Sequence, residues 1–584
     1  MRRIMWAWPL VTLGCGSASD VEPQSCEQSA SIALQTCLAE VAEDLLACHE
    51  QDGAPCQATD ETLQRLDGAV REVCTDGELA GLDLDAATER LEVACASQAE
   101  AVGWRFYGGP QAEMWEAGIS LGCLSTSHGI ASDLLIDSLT EIADCSATDC
   151  DLEGLAQRRG ALEDAAATAI ETACPGGIAS LVGQPGTILA QRISEQADCT
   201  AATVHPGDLG LQCGPSYASF EAARGEWTEI VLDSETWGTL CGDGSDYAFW
   251  VNLAPEGQPL DRIFIGLEGG GVCLFEDDCV PRFESSPELF TALDGRPEGG
   301  GIGSDDPAMS EFANWTRVYL PYCNQDVFAG GGVVEDLGSL QLPRYGSVNL
   351  RTSLRMVRDV VWRELDNAGG DGFRPDRVQA LFGGWSAGAY GTMYNYPFLV
   401  DELLWPRSTG FPDAGMALHN GELLGVRNLG LAKIPAWNMG PLLPPYCFAP
   451  ECAEGPHLLR KASPRLLQVP EQQILTVTNP KDDIQQNDAF FSDEAFWINT
   501  MRTEVCDLRD LPGLQFYLTS ISDESVHVVT IRDELWEGSV DGVVMRDWFS
   551  RAVSDPASIS DRMEEANFVQ DIPGVEPFPC AVAP

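Results

Sequence analysis

Basic side chains are scarce in this chain of 584 residues: 34 lysines and arginines stand against 90 aspartates and glutamates, a formal net charge of −56. Binding to nucleic acid or to an anionic membrane surface depends on clustered cations, so this balance argues against both kinds of partner. The excess of acid fits a highly soluble protein and carries no information about a reaction.

Long apolar runs are absent after the first 20 residues, so no later segment predicts a membrane span. At the start, two arginines precede a short apolar run that ends at Leu13, which is the layout of a secretory signal. We therefore predict a signal peptide over residues 1–20. Cys15 follows a glycine, as in bacterial lipoprotein cleavage sites, and would then attach the protein to a membrane through a lipid. The predicted location is secreted or cell-surface, by bacterial-type export.

Metal-binding patterns are missing as well, since the sequence has no paired C-x-x-C motif and only six scattered histidines. We predict no metal and no other cofactor. The cysteines number 21, and setting Cys15 aside leaves 20, an even number that fits ten disulfides in an oxidising compartment. Eleven of them lie between Cys26 and Cys199 and nine from Cys213 onward, so complete pairing requires a bridge between these two parts.

Composition divides the chain in two. Residues 21–205 are rich in alanine, glutamate, leucine and cysteine. Cys26, Cys37 and Cys48 are spaced by eleven, about three helical turns, so they share one helix face. We predict a disulfide-rich helical domain, whose function the sequence does not indicate. Residues 216–584 alternate predicted strands with helices, which indicates an α/β fold, a mostly parallel sheet with helices on both faces.

The stretch "GWSAG", residues 384–388, follows the predicted strand "VQALFGG" and precedes a predicted helix. This is the G-x-S-x-G pattern of a nucleophile elbow, in which a serine stands in a strained turn between strand and helix. Gly384 and Gly388 let such a turn close, and the start of the helix directs N–H groups toward an oxygen that becomes negative during acyl transfer. We therefore predict that Ser386 is a nucleophile.

A nucleophilic serine needs further N–H donors, a base and an acid. The glycines at 269–271 follow another predicted strand and can supply the donors. In α/β-hydrolases the acid and then the histidine follow the serine, so we predict His527 as the base and Asp482 or Asp483 as the acid. His419 and His457 are interpreted as surface or packing residues.

The motifs "LEGGGVC", "YLPYCNQDVFAGG" and "GGWSAGAYGTMYN" together resemble those of the pectin acetylesterase/Notum family, over roughly residues 225–550. These are secreted α/β-hydrolase-fold carboxylesterases. The family's Asp–Gln spacing fits Asp482 and also Asp483, and strand length favours Asp482. The resemblance implies that Gly270, Gly271 and Ala387 donate N–H groups to the oxyanion. It also implies a structural role for Cys273, Cys279 and Cys323, with Cys273 and Cys279 stapling the glycine-rich loop.

Two departures from the family pattern stand close to this predicted site. Gly271 replaces a tryptophan, which we expect to alter the acyl pocket, and Ala389 replaces a glycine. The resemblance implies a serine carboxylesterase acting on an acylated carbohydrate, with O-acetyl groups on a polysaccharide as the first hypothesis. The alternatives are a fatty-acyl esterase acting on a lipidated protein or lipid, and an inactive surface binding or adhesion protein.

Overall fold

The computed structural model describes residues 25–49, 58–79, 82–107, 119–147, 150–174, 178, 186–205, 220–293, 295–296, 299–367, 378–403, 405, 407–416, 418, 433, 436–439, 459–460, 472–486, 493–520, 526–565 and 568–580. The predicted signal peptide with Cys15, and the predicted domain boundary between residues 205 and 216, lie outside these ranges and stay predictions. Among the described residues, no helix is long and apolar enough to cross a membrane.

The first part of the chain is helical, as predicted. Its helices are α1 Cys26–His49, α2 Asp60–Val73, α3 Leu84–Tyr107, α4 Ile119–Ser146, α5 Leu152–Ala173 and α6 Gly186–Ala201. Apolar side chains from these helices form a core of their own. In α2, for example, Leu66 and Val70 lie one turn apart on the buried face, and the Thr59 hydroxyl caps the first turn.

Disulfides staple this helical core, which confirms a disulfide-rich helical region. Within the described residues the bridges join Cys26 to Cys74, Cys37 to Cys95, Cys123 to Cys174 and Cys145 to Cys150. The predicted bridge between the two parts of the chain involves cysteines outside those pairs and stays a prediction.

The second part is an α/β structure. Its strands are β1 Thr228–Leu232, β2 Tyr247–Asn252, β3 Arg262–Leu267, β4 Thr316–Leu320, β5 Val333–Asp336, β6 Gln341–Arg344, β7 Gln379–Trp385, β8 Arg407–Asp413, β9 Gln473–Thr478, β10 Leu514–Leu518, β11 Ser539–Val540 and β12 Val543–Val544. Its helices are α7 Ser234–Trp237, α8 Glu276–Ser285, α9 Gly346–Asn367, α10 Ala387–Pro397, α11 Glu494–Leu508, α12 Asp533–Trp536 and α13 Met545–Ser554.

Eight of these strands form one mixed sheet in the order β1-β2-β4-β3-β7-β8-β9-β10. The six strands from β4 to β10 run parallel, and β1 and β2 add an antiparallel edge. Separate apolar clusters pack against the sheet, one including α9 and α11 and another including α13. The predicted mostly parallel sheet is therefore confirmed, and its central strands β3, β7 and β8 end at one shared edge.

Candidate active site

Ser386 stands at the junction between β7 and α10. Its backbone has φ 56° and ψ −114°, a strained conformation for a residue with a side chain. The glycines on either side are required for packing. A Cβ on Gly384 would lie 2.5 Å from Leu267 Cβ, and one on Gly388 would collide with the Leu267 carbonyl. The sharp turn predicted from "GWSAG" is therefore present, with the small residues closing it against β3.

Asp482 and His527 lie side by side in the loops after β9 and β10. The imidazole Nδ1 is 2.9 Å from both carboxylate oxygens of Asp482. The carboxylate also accepts the backbone N–H groups of Ile484 and Gln485, at 3.1 and 3.0 Å. Burial raises the pKa of Asp482, and the hydrogen bond from His527 opposes that shift. Asp483 is exposed, and the carboxylate that contacts the imidazole is that of Asp482.

The other imidazole nitrogen is the one that a triad places next to its serine. Nε2 of His527 is buried and has no hydrogen-bond partner in the part of the chain that the structure describes. His527 and Ser386 line the same cavity. An imidazole with one nitrogen held by a carboxylate and the other without a partner, in a cavity shared with a serine, is the arrangement that general-base catalysis uses. His419 and His457 lie outside the described residues.

The segment 268–273, called the glycine loop below, contacts the elbow directly. A Cβ on Gly269 would lie 2.8 Å from the Trp385 carbonyl and 3.3 Å from Ser386 Cβ. Gly270 and Gly271 have φ values of 149° and 75°, which L-residues with side chains rarely adopt. All three glycines line the cavity that contains Ser386, so the structure brings this predicted loop next to the predicted nucleophile.

Arg282 of α8, which sequence reasoning missed, holds the glycine loop. Its Nη1 donates to the Gly270 carbonyl at 3.0 Å and to Gln325 Oε1 at 2.9 Å. Because a trans peptide is planar, fixing that carbonyl also fixes the opposite direction for the N–H of Gly271. A Cβ on Gly271 would lie 2.6 Å from Arg282 Nη1, so a side chain there would displace the guanidinium from this position.

One disulfide belongs to the glycine loop, and a second lies next to Tyr322, whose ring packs against Gly270. Cys273 pairs with Cys279, which joins the loop to α8, and Cys323 pairs with Cys241. The predicted structural role of these cysteines is confirmed. Ala387, the third predicted N–H donor, is buried at the first position of α10, where helix N–H groups have no partner inside the helix.

Asp413, at the end of β8, was also missed, and it holds the segment 526–531, called the histidine loop below. Its carboxylate accepts the backbone N–H groups of Val529 and Thr530, at 3.0 and 2.7 Å, and the Thr530 hydroxyl at 2.7 Å. Its backbone carbonyl accepts the N–H of Ser386 at 2.9 Å. Asp413 is fully buried, and burial raises its pKa to about 6. One residue thus connects the serine and the histidine.

Two cavities meet beside the serine. The first has a volume of about 770 Å³ and, besides Ser386 and His527, is lined mainly by apolar side chains: Val272, Leu274, Phe275, Leu289, Ile484 and Val528. The second, of about 350 Å³, shares Gly269 and Val528 with the first. Its lining is mainly apolar and aromatic, with Trp227, Tyr319 and Trp385 among its residues, and it carries three charged side chains, Glu268, Arg296 and Arg317. An ester bound at the serine therefore has a mainly apolar space on either side, and the smaller space is lined by aromatic rings.

An elbow serine, a histidine paired with a buried aspartate and a glycine loop stand together at the carboxyl ends of parallel strands. This fold and arrangement define an α/β-hydrolase-type protein. Residues 222–430 match the family model described as Pectinacetylesterase. Over this stretch the chain is similar to the pectin acetylesterase/Notum family. The matched range includes the glycine loop and Ser386 and ends before Asp482 and His527.

Individual relatives are distant. The chain is 27% identical over 197 residues to palmitoleoyl-protein carboxylesterase notum1a of Danio rerio, covering 32% of this chain and 36% of that protein. It is 25% identical over 231 residues to pectin acetylesterase 11 of Arabidopsis thaliana, covering 37% and 55%. The chain thus spans about a third of the length of the Notum relatives it matches. The chain also matches a solved structure of the Wnt deacylase Notum from Drosophila, at 18% identity and a TM-score of 0.43. This match covers 58% of the present chain and 95% of the Drosophila chain.

Proposed function

We propose that this protein is a secreted serine carboxylesterase in which Ser386, His527 and Asp482 form the catalytic triad. The observation that carries the proposal is the imidazole held by Asp482, on a histidine that lines the same cavity as the elbow serine and whose second nitrogen has no hydrogen-bond partner among the described residues. The similarity to this family supports carboxylic ester chemistry, since the relatives are named as a carboxylesterase and a pectin acetylesterase.

The proposed reaction is acyl transfer in two stages. Ser386 Oγ attacks the ester carbonyl carbon, and its proton passes to Nε2 of His527. Asp482 stabilises the imidazolium that forms, while N–H groups of Gly270, Gly271 and Ala387 donate to the oxyanion. The imidazolium then protonates the departing alcohol oxygen, which leaves an acyl-serine. Water, deprotonated by His527, attacks the acyl-serine and releases the carboxylic acid.

O-acetyl esters on a polysaccharide are the first proposed substrates. The second cavity supports this choice, because aromatic faces such as those of Trp227 and Tyr319, with a few charged groups beside them, suit a sugar ring with its many oxygens. Acetyl itself is small, and pectin acetylesterase 11 is named for removing it.

Longer acyl chains are the second candidate, which the first cavity favours. About 770 Å³ of mainly apolar space is far more than an acetyl group fills, and it would stabilise a fatty-acyl chain by removing it from water. The matched Notum relatives are named for removing palmitoleoyl groups from proteins.

A series of p-nitrophenyl esters with acyl chains from two to sixteen carbons separates the two candidates. A maximum of kcat/KM at acetate supports the first, and a maximum at eight carbons or more supports the second. Free acetate released from acetylated polysaccharides tests the natural form of the first substrate directly.

The third possibility from the sequence is an inactive binding protein. A fluorophosphonate probe labels a serine only when a base activates it, so labelling of the protein supports the triad. Ser386→Ala should abolish labelling, whereas Ser558→Ala, at an exposed turn after α13, should retain it. An unlabelled but folded protein would refute the esterase proposal.

Export through a signal peptide and a lipid anchor on Cys15 are further parts of the proposal. The disulfides of the described residues fit an oxidising compartment. Incorporation of a labelled fatty acid in a bacterial host, lost in Cys15→Ser, is the expected result for an anchored form. Release of unlabelled protein into the medium would instead indicate plain secretion.

A further inference from the structure

A third cavity lies at the opposite edge of the sheet from Ser386. It has a volume of about 500 Å³ and is lined in part by Arg262, Arg407, Arg551, Gln379, Asn314 and Glu311. Arg262, Gln379 and Arg407 are the first residues of β3, β7 and β8, whereas the serine and its neighbours follow the last residues of these strands. A strand of six or seven residues spans roughly 20 Å, so this cavity is separate from the candidate active site.

Strand register sets three of these side chains in a row. Arg262 of β3 pairs with Gln379 of β7, and Gln379 pairs with Arg407 of β8. Neighbouring strands lie about 4.8 Å apart, which puts the two arginine backbones roughly 10 Å from each other with the amide of Gln379 between them. Register partners in a parallel sheet project to the same face, so both guanidinium groups reach toward one space.

Helix α13 completes the cavity with a third cation. Arg551 lies in the last turn of this helix. The helix contacts the row formed by Arg262, Gln379 and Arg407, because Gln379 Nε2 donates to the Val553 carbonyl at 2.8 Å. All three arginines are exposed at this edge. Glu311 is the carboxylate in the lining, which leaves the cavity with two positive charges in excess.

No carboxylate pairs with these three arginines across the ranges that the structure describes, although acids outnumber bases 90 to 34 in the chain. Arg296, Arg317 and Arg502, by contrast, each pair with a carboxylate. Like charges held at one place repel each other, and an anion between them would remove that cost.

We propose that this cavity is a binding site for a tetrahedral oxyanion group, a phosphate or a sulfate. Each guanidinium offers a planar pair of N–H groups that matches two oxygens of such a group, and amides of Gln379 and Asn314 add neutral donors. A phosphorylated small molecule and a sulfated saccharide share this chemistry. The site is independent of the esterase reaction, because none of its residues belongs to the candidate triad.

Calorimetric titration of the full chain tests the proposal, with tripolyphosphate as one ligand and a fully sulfated disaccharide as the other, at constant ionic strength set by NaCl. Saturable binding of either ligand, with an affinity that falls at least tenfold in Arg262→Gln/Arg407→Gln, is the expected result. The ligand that binds more tightly identifies the source of the group. Arg65→Gln/Arg158→Gln, which removes the same charge from the helical part, should bind as the parent does.

Two outcomes overturn the site. One is no saturable binding of either ligand at 0.15 M ionic strength, and the other is an equal loss in both double variants, which would mean a response to net charge alone. Thermal unfolding checks that each variant is folded. If the first double variant does not fold, Arg551→Gln, at an exposed position near the end of α13, replaces it with the same expected direction of change.

Discussion

The glycine loop and the histidine loop face the same serine, and charges of opposite sign hold them. A cation, Arg282, grips a carbonyl of the glycine loop, whereas an anion, Asp413, grips N–H groups of the histidine loop. The C=O and N–H of a peptide group point in opposite directions. A cation that holds the C=O therefore leaves the N–H pointing away from it, and an anion that holds the N–H leaves the C=O pointing away. Anchoring the carbonyl of the glycine loop leaves an N–H directed away from Arg282, which is what a donor to an oxyanion requires.

The largest expected effect is on the histidine side. Asp482→Asn should lower kcat by on the order of 10⁴, because an amide cannot stabilise the imidazolium and favours the wrong tautomer. The measurement is kcat on a p-nitrophenyl ester at pH 8. Asp483→Asn is the matched control and should keep the rate of the parent, since this neighbour is exposed. A large loss in Asp483→Asn with little loss in Asp482→Asn would assign the acid to Asp483 instead.

On the glycine side, Arg282→Met should lower kcat by about 10², approaching the loss of one oxyanion donor, while KM changes little. The Gly270 carbonyl would lose its donor and the Gly271 N–H its fixed direction. Arg282→Lys keeps one cationic donor and should recover part of the rate. If KM rises while kcat stays constant in the Met variant, then Arg282 contacts the substrate and does not orient the loop.

Asp413→Asn should have a smaller effect on rate, about tenfold, because the histidine loop would shift relative to the serine. Arg460→Gln, which removes a surface ion pair, serves as the control and should leave the rate unchanged. A rate in Asp413→Asn equal to that of the parent would mean that the histidine loop needs no anchor.

The same substitution gives a prediction for stability against pH. Burial raises the pKa of Asp413 from 3.8 to about 6, so the folded protein binds this proton more tightly than the unfolded chain does. The contribution of protonated Asp413 to the free energy of unfolding is fully present below pH 4 and is lost as the pH rises through 6. Over about two pH units it amounts to up to about 3 kcal/mol. Urea unfolding at several pH values should show the parent losing this amount relative to Asp413→Asn, and parallel curves would contradict it.

The smallest effect should follow removal of the Cys273–Cys279 bridge. Arg282 still holds Gly270 when both cysteines become serine, so we expect a severalfold decrease in kcat and a stability loss of roughly 2 kcal/mol, since the closed loop is short. Steady-state kinetics and thermal unfolding measure the two changes. A rate loss as large as that of Arg282→Met would show that the bridge, and not the arginine, orients the loop.

Local sequence patterns predicted the elbow and the glycine loop, because each is formed by residues close in sequence. The glycines around Ser386 indicate a strained, tightly packed turn, because larger residues would not fit there. The choice between Asp482 and Asp483 stayed open in the sequence, since adjacent residues in a loop project in different directions and only the fold shows which one is buried.

The two anchors could not be predicted, for different reasons. Asp413 contacts Thr530 across 117 positions, and it ends β8, whose sequence "RSTGFPD" is poor in the β-branched and aromatic residues typical of strands. The burial of β8 between β7 and β9 decides its structure. Arg282 is only 12 positions from Gly270, and its distance of three from Cys279 on one helix face was a signal that could have found it.

The disulfides Cys241–Cys323 and Cys273–Cys279 form only in oxidising surroundings, after the chain has been synthesised. A newly synthesised chain in thiol-reducing surroundings would lack both bridges, and Arg282 alone would then hold the glycine loop. The proposed esterase would therefore reach its full rate only after its cysteines are oxidised.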